Sequence, residues 1–567
     1  MKLLFYCLII SLSFCSFSQE KYPQNYFRNP LDIPIVLSGS FGELRSNHFH
    51  SGLDIKTQGK QGLKVYASAE GYVSRIKVQQ FGYGKAIYIT HPNGYTTVYA
   101  HLQKFSKEIE NYVKSAQYEK ESYATGNLFF REDQFPLQKN TIIGYSGDTG
   151  GSGGPHLHFE IRKTSTERVI NPLLFGLKVS DSLPPTIRSL KVYALEENSR
   201  INQQKKNFQL PLRKKSEGNY IVDRISANSF VGFGIDVYDK FDGAYNKNGI
   251  FSLEMLVNGK RWYYHNVESF SFAESKYLNL HIDYEHYKKY KKRYQKSFKD
   301  EVNKLSTYNS LIDNGKLNVI PNTNYLIKII AKDFNGNSSS VNIPIVGKAN
   351  DKSFQKEIDT TIYKIIAKKF QKFKVDDFSV AFPKNTFYED VFLDLKYENG
   401  VAKVHNPYVP LDKNFTLTFD VSKYSEDEKQ QLYIANLEYP KYPRYQYTRK
   451  KDSTFFTTTK ILGNYELLKD TIKPSIKPLY WKNNQWISNF STLKVKIGDI
   501  GSGIKNWKAT IDGEWILMEY NHKKRILTYN FTDKKLVGSK HIFKIVVSDN
   551  VGNTNELSAT FYKKQLN

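Results

Sequence analysis

"GGSGGPHLHFEIR" (Gly150–Arg162) sets apolar residues Leu157, Phe159 and Ile161 between His156, His158, Glu160 and Arg162. Strict alternation of this kind is a β-strand with one buried face, and it puts the two imidazoles on the other face, side by side. Two such groups can serve one centre, but an HxH pair is equally compatible with a structural role. The five glycines just ahead, Gly147, Gly150, Gly151, Gly153 and Gly154, fit either a tight loop or a groove in which a substrate backbone comes close.

Upstream the same texture continues. "YVSRIKV" (Tyr72–Val78), "AIYIT" (Ala86–Thr90) and "YTTVYAH" (Tyr95–His101) read as strands, the last two joined by the turn signal "HPNG". An antiparallel β domain is expected over 24–178. With 567 residues, 41 Tyr, 37 Phe and few helical periodicities, the whole chain reads as mainly β and as several domains.

Beyond that front domain, "DSLPPTI" (Asp181–Ile187) and "DTIKPSI" (Asp470–Ile476) have the same form. Ile250 precedes Val257-Asn258-Gly259 by seven residues, as Ile504 precedes Ile511-Asp512-Gly513. Asp333-Phe334-Asn335-Gly336-Asn337 and Asp549-Asn550-Val551-Gly552-Asn553 close the two units. Three matches in order mark an internal repeat of Ig-like β-sandwich domains over 181–348 and 470–567. The stretch 352–469 reads as a further sandwich-like unit with no catalytic cluster. Within the first copy, "YEHYKKYKKRYQKSFK" (Tyr284–Lys299) places Tyr287, Tyr290, Tyr294 and Phe298 along one side of a helix, expected to pack on its own sandwich with a solvated basic face.

The first eighteen residues, "MKLLFYCLIISLSFCSFS", read as an export signal: Lys2, then a short apolar core, then small residues before Gln19. Lipidation at Cys15 is disfavoured by Phe14 where a small residue is wanted. No other segment suits a membrane span. Both cysteines, Cys7 and Cys15, fall inside the signal, so an exported mature chain has neither disulfides nor thiolate ligands, and a metal would be held by His, Asp or Glu. The net charge of +26 suits association with anionic envelope polymers or lipid headgroups, or serves solubility alone; an exported chain rarely meets nucleic acid.

Six of the 12 histidines (His48, His50, His91, His101, His156, His158) lie in the front domain. In "HSGLD", His50 and Asp54 would stand about 13 Å apart on a straight strand, so Gly52 must bend the chain if they are to share an ion. "VYAHL" ends a strand on His101, with Tyr95, Thr97 and Tyr99 on its face.

Taken together, "HSGLDI", "GYGKAIYITHPNGYTTVYAHL", "IIGYSGDTGGSGGPHLHFEIR" and "INP", spanning roughly Phe41 to Pro172, resemble the lysostaphin/LytM-type zinc metalloendopeptidases, the β-lytic metallopeptidases that hydrolyse peptidoglycan. The resemblance implies a zinc ion on His50, Asp54 and His158, with His101 and His156 as catalytic partners and a zinc-activated water as nucleophile. It implies peptidoglycan stems and cross-links as substrate, and a periplasmic or extracellular place of action. All five positions are filled, unlike in degenerate members that only activate other wall enzymes. A non-catalytic wall-binding or regulatory protein, and a peptidase with a non-wall protein substrate, are the alternatives. "KEIENYVKSAQYEKESYATGNLFFREDQF" (Lys107–Phe135) is longer than the family pattern and is expected to form a helical or hairpin element near the cleft.

Overall fold

A computed structural model describes residues 21–349 and 360–564. The export signal and Cys15 lie outside them. Strands make up 46% and helices 8%, a mainly β protein as the composition implies.

The front domain is built on a ten-stranded sheet. Its main path uses β1 (Leu37–Gly39), β2 (Leu53–Lys56), β3 (Gly71–Val78), β4 (Lys85–Thr90), β5 (Tyr95–Ala100), β6 (Gly126–Phe129) and β7 (His156–Lys163). They lie in the order β1-β2-β7-β5-β4-β3-β6, every neighbouring pair antiparallel. The late strand β7 is therefore inserted between β2 and β5, the two segments that carry the other histidine motifs. Leu157, Phe159 and Ile161 are fully buried on the core face of β7, and Phe159 packs on Tyr99 of β5 at 5.3 Å between ring centroids. Burying such side chains contributes about 1.5–3 kcal/mol each, which pins the register, because a one-residue slip would turn all three to solvent.

The added segment after His101 forms both a helix and a strand. Helix α1 (Lys107–Glu119) buries Ile109 and Val113 against the sheet, and β6 extends the sheet beside β3. Its outer side meets the last domain rather than open solvent: Tyr118 stands edge-on to Trp515, Lys114 pairs with Asp533, and Glu121 with Lys508.

The front core does not end at the linker. Phe241, Val267, Phe270, Leu278, Ile282 and Leu305 belong to the same buried cluster as Phe41, Phe49 and Phe159. Ser269–Phe270 also pairs with Arg168–Ile170 at the sheet's end. Three further cores follow, one in each β-rich unit. Two of the matching turns are alike: Asn258-Gly259 and Asp512-Gly513 both adopt two successive left-handed conformations, the signature of a two-residue hairpin.

The long aromatic helix expected over Tyr284–Lys299 is only seven residues long. It stops at Tyr290, capped by Lys291 in a left-handed conformation. Tyr294 and Phe298 are buried from extended chain instead, where Gln295–Lys296 pairs with the strand Ile225–Tyr238. A run of clustered cations offers a helix little, and Tyr and Phe fit a sheet edge equally well.

Candidate metal centre

Register brings the motifs together. His158 lies directly opposite Asp54 on one side and Ala100 on the other. Directly opposed residues share a face, so Asp54 and His158 converge without any further device. His50 precedes β2, and the chain bends at Gly52. A Cβ at Gly52 would come within 2.4 Å of the Phe159 carbonyl, so the bend passes hard against β7 where no side chain fits.

The three donor atoms form a small triangle. His50 Nε2 is 3.0 Å from Asp54 Oδ1 and 3.2 Å from His158 Nδ1, and His158 Nδ1 is 2.8 Å from Asp54 Oδ1. The other ring nitrogens decide the tautomers. His50 Nδ1 lies 2.8 Å from the Ser40 carbonyl and His158 Nε2 lies 2.8 Å from Glu160 Oε1. Both partners only accept, so both of those nitrogens carry the proton, and lone pairs on His50 Nε2 and His158 Nδ1 face the carboxylate and each other. Three converging lone pairs repel unless a cation sits among them. A proton can answer part of that need: burial would depress the His158 pKa, but hydrogen bonds and charge from Asp54 and Glu160 carry it up to about 9. A metal ion answers it for all three atoms at once. Zinc–ligand distances of about 2.0–2.2 Å imply donor separations near 3.3 Å, close to the triangle seen.

Arg45 completes the carboxylate. Its Nη2 donates to Asp54 Oδ2 at 3.0 Å, which leaves Oδ1 for the centre. Burial alone would raise the Asp54 pKa, but the surrounding histidines hold it well below the usual range.

His101 and His156 stand beside the triangle, their rings 4.8 Å apart. His101 Nδ1 donates to the Thr149 carbonyl at 2.8 Å, and His156 Nδ1 to the Gly154 carbonyl at 2.8 Å. Each therefore presents a bare Nε2, that of His156 lying 3.4 Å from Asp54 Oδ1. Burial, then the neighbouring His158 and His156, push His101 down to about 3, so it is a neutral base at neutral pH.

The expectation that His101 shares the face of Thr97 and Tyr99 is corrected by the structure. Tyr99 points into the core, and simple alternation would send His101 after it. Instead β5 ends at Ala100 and His101 takes a left-handed backbone, φ +60, which swings its ring over to the His158 face. That conformation costs a residue with a Cβ about 1–3 kcal/mol and is held by the hydrogen bond from His101 N–H to the Tyr83 carbonyl, 2.9 Å.

The glycines divide. A Cβ at Gly150 would stand 2.3 Å from Gly84 N, and one at Gly147 2.3 Å from Gln103 N, so these two serve close packing of the protein on itself beneath His101. Gly153 and Gly154 meet nothing within 4 Å and alone leave room for a substrate backbone. Of the remaining front-domain histidines, His91 is tied to the Glu70 carbonyl and Thr97, and His48 to Asn47.

Arg45, Glu160 and Tyr83 were not singled out by the sequence reading. Glu160 was legible: it shares the His156/His158 face two residues on. Fully buried, it accepts from His158, Ser51 Oγ (2.6 Å), Tyr83 OH (2.5 Å) and Arg162 Nε (2.6 Å). It fixes which nitrogen His158 offers. Glu160→Gln is expected to weaken metal binding about 10–100-fold in competition with a chromophoric chelator, while Arg162 keeps its second partner Glu167.

The chain is similar to known proteins over part of its length. Residues 48–127 match the model of peptidase family M23, and residues 363–470 match a Zu5-like domain. The M23 match includes His50, Asp54 and His101. The DD-carboxypeptidase/endopeptidase Mpg of Neisseria meningitidis is 34% identical over 134 residues, 24% of this chain and 24% of its own length. The peptidoglycan DD-endopeptidase ShyC of Vibrio cholerae is 29% identical over 164 residues, 28% of this chain and 31% of its own. Among solved structures, the catalytic domain of lysostaphin from Staphylococcus simulans is similar at 23% identity and a TM-score of 0.19, covering 25% of this chain and 91% of that one. The chain thus spans only about a quarter to a third of the length of these curated relatives.

Proposed function

We propose that this chain, which carries an M23 peptidase domain of the lysostaphin/LytM type, is an exported zinc metalloendopeptidase that cleaves peptide cross-links of bacterial peptidoglycan. The observation that carries the reading is the triangle of lone pairs on His50, Asp54 and His158 with two further imidazoles at its edge. The relatives Mpg, named a DD-carboxypeptidase/endopeptidase, and ShyC, named a peptidoglycan DD-endopeptidase, support the substrate class. An oxygen- and nitrogen-donor set of two histidines and one carboxylate suits zinc, and no helix among the described residues is long and apolar enough to cross a membrane.

The ion, when bound, supplies Lewis acidity toward the scissile carbonyl and an activated water. The chain supplies the rest. Glu160 and Ser40 orient the two ligand imidazoles. His101 and His156, each locked in one tautomer by a backbone carbonyl, hold Nε2 ready to take a proton from the attacking water and to pass it to the leaving amine. Once protonated, the same Nε2–H donates to the oxyanion as it develops. Gly153 and Gly154 let the peptide lie close beside them. The β-rich units 181–348, 352–469 and 470–567 act in this reading as spacing or docking modules.

Purified sacculi incubated with the full chain are expected to release fragments whose masses identify a cut peptide bridge. Unchanged sacculi together with stoichiometric zinc would favour a non-wall protein substrate, and a chain that never binds zinc would favour a non-catalytic wall-binding or regulatory protein.

A further inference from the structure

The two copies of the repeat each bring three aspartates together at equivalent places. One opens the linker, four residues before a proline: Asp181 before Pro185, Asp470 before Pro474. One directly follows a long strand: Asp239 after Ile225–Tyr238, Asp499 after Thr492–Gly498. One opens the D-x-x-G-N turn: Asp333 and Asp549. In each set, one carboxylate oxygen per residue lies within 4.8 Å of the others. The turn's last asparagine is wired identically in both, Asn337 Nδ2 to Asp181 O and Asp333 Oδ2, Asn553 Nδ2 to Asp470 O and Asp549 Oδ2.

The copies differ in how the charge is met. In the last domain, backbone donors reach all three carboxylates, leaving only Asp499 Oδ1 buried without a partner. Asp470 Oδ2 accepts from Ser502 N–H, Asp499 Oδ2 from Gly501 and Gly503 N–H, and Asp549 Oδ1 from three successive N–H groups of its turn. In the first copy the glycine-rich loop is replaced by "DKFDGAYNKNG" (Asp239–Gly249), and the counterparts of the Ser502, Gly501 and Gly503 donors are gone, whereas Asp333 still accepts from Asn337 N–H and Asp181 Oδ1 from Leu183 N–H. Asp239 is 1% exposed, and neither of its carboxylate oxygens has a hydrogen-bond partner in the protein; the Lys240 backbone N–H faces it without reaching hydrogen-bond geometry. Asp181 Oδ2 is likewise bare. Asn248, 3% exposed, is paired with Asp239 through both backbone hydrogen bonds, so its side chain shares Asp239's face, and neither of its polar side-chain atoms has a partner. No Lys, Arg or His forms an ion pair with Asp181, Asp239 or Asp333 among the described residues, and a fourth acid, Asp242, is clipped to the linker by Ser180 and Ser182. Burial and mutual repulsion push Asp239 up to about 8 and Asp181 to about 7.

A bare carboxylate as deeply buried as Asp239, with two more beside it, is costly without a counter-charge. We propose that Asp181, Asp239 and Asp333, with the side-chain carbonyl of Asn248, bind a calcium ion that fastens the linker to the first sandwich. An all-oxygen donor set favours a hard cation over zinc, and a site that mixes carboxylates with neutral carbonyls on loops suits calcium's irregular coordination better than magnesium's. The position gives the ion a purpose. Val179 bridges to Ile35 of the peptidase domain, and Asn335 already reaches the carbonyls of Val179 and Asp181. Calcium there would fix the exit of the chain from the peptidase domain.

The test is equilibrium dialysis and thermal melting of the full zinc-loaded chain, with calcium titrated to millimolar levels and zinc held constant. Wild type is expected to bind calcium and to melt several degrees higher with it. Asp239→Asn is expected to bind one calcium fewer and to lose the shift, yet to melt no lower than wild type in calcium-free buffer, because one of the repelling carboxylates is gone. Asp499→Asn is expected to keep both the ion and the shift. A wild-type chain that takes up no calcium, or an Asp239→Asn chain that binds as much as wild type, overturns the proposal. Should Asp239→Asn fail to fold, Asp181→Asn on the half-exposed linker must show the same loss of one ion.

Discussion

His50→Ala is expected to fold but to hold no stoichiometric zinc and to release nothing from sacculi, whereas His101→Ala keeps its zinc and loses turnover. The contrast follows from where each ring points. His50 Nε2 is one corner of the donor triangle, 3.0–3.2 Å from the other two atoms. Removing it leaves two ligands, too few for a tight site. His50 lies before β2, outside the strand ladders, so the sheet survives the loss. His101 stands outside the triangle with its Nδ1 committed to Thr149. In the proposed mechanism its removal takes away one proton carrier, worth about 10²–10⁴-fold in turnover, and leaves the ligands in place. Metal content by elemental analysis and fragment release, measured on the same preparations, separate the two outcomes. Zinc lost from His101→Ala would show that the ligand set is assigned wrongly.

How much of this site could be read beforehand depended on whether each contact is local. The HxH strand, its buried face and its neighbouring glycines are set by alternation within eight residues. The convergence of Asp54 on His158 is not local, and only the resemblance of spaced motifs made it an expectation. Register then gives its cause, since the two residues sit directly opposite one another. Arg45 gave no signal, because its contact with Asp54 rests on a glycine: a Cβ at Gly39 would stand 2.5 Å from Arg45 Nη2. His101 misled, because alternation assigns it to the core face and a single left-handed residue overrides that. The helix over Tyr284–Lys299 misled for a related reason. A period-of-four aromatic stripe looks helical, but Tyr294 and Phe298 find better burial from extended chain beside the strand Ile225–Tyr238. The contact between α1 and the last domain, some four hundred residues away in the chain, has no trace in either segment read alone.

That contact leads to the second large effect. Lys85, the first residue of β4, is buried, and its Nζ meets Glu519 Oε1 of the last domain at 2.9 Å and the Gln103 carbonyl at 3.2 Å. Burial would depress its pKa, but Glu519 outweighs that and keeps the ammonium charged. Lys85 N–H also donates to Thr149 Oγ1, and the Thr149 carbonyl orients His101. Four residues further along the last domain, Lys523 grips Asp148 through both its carbonyl and its carboxylate. The final sandwich therefore braces the loop that orients His101, a role beyond the spacing or docking proposed above for these units. Glu519→Ala leaves a buried cation without its carboxylate. A fully buried pair broken on one side costs about 3–5 kcal/mol. Glu519 is itself 40% exposed, so a loss of about 2 kcal/mol is the reasonable expectation here. Lys85→Met should lose less, and the double variant should recover most of the deficit, since no cation then remains to be stranded. A thermodynamic cycle over the four proteins measures the coupling directly. Additive losses, with no recovery in the double variant, would mean that the two domains touch at this point without supporting one another.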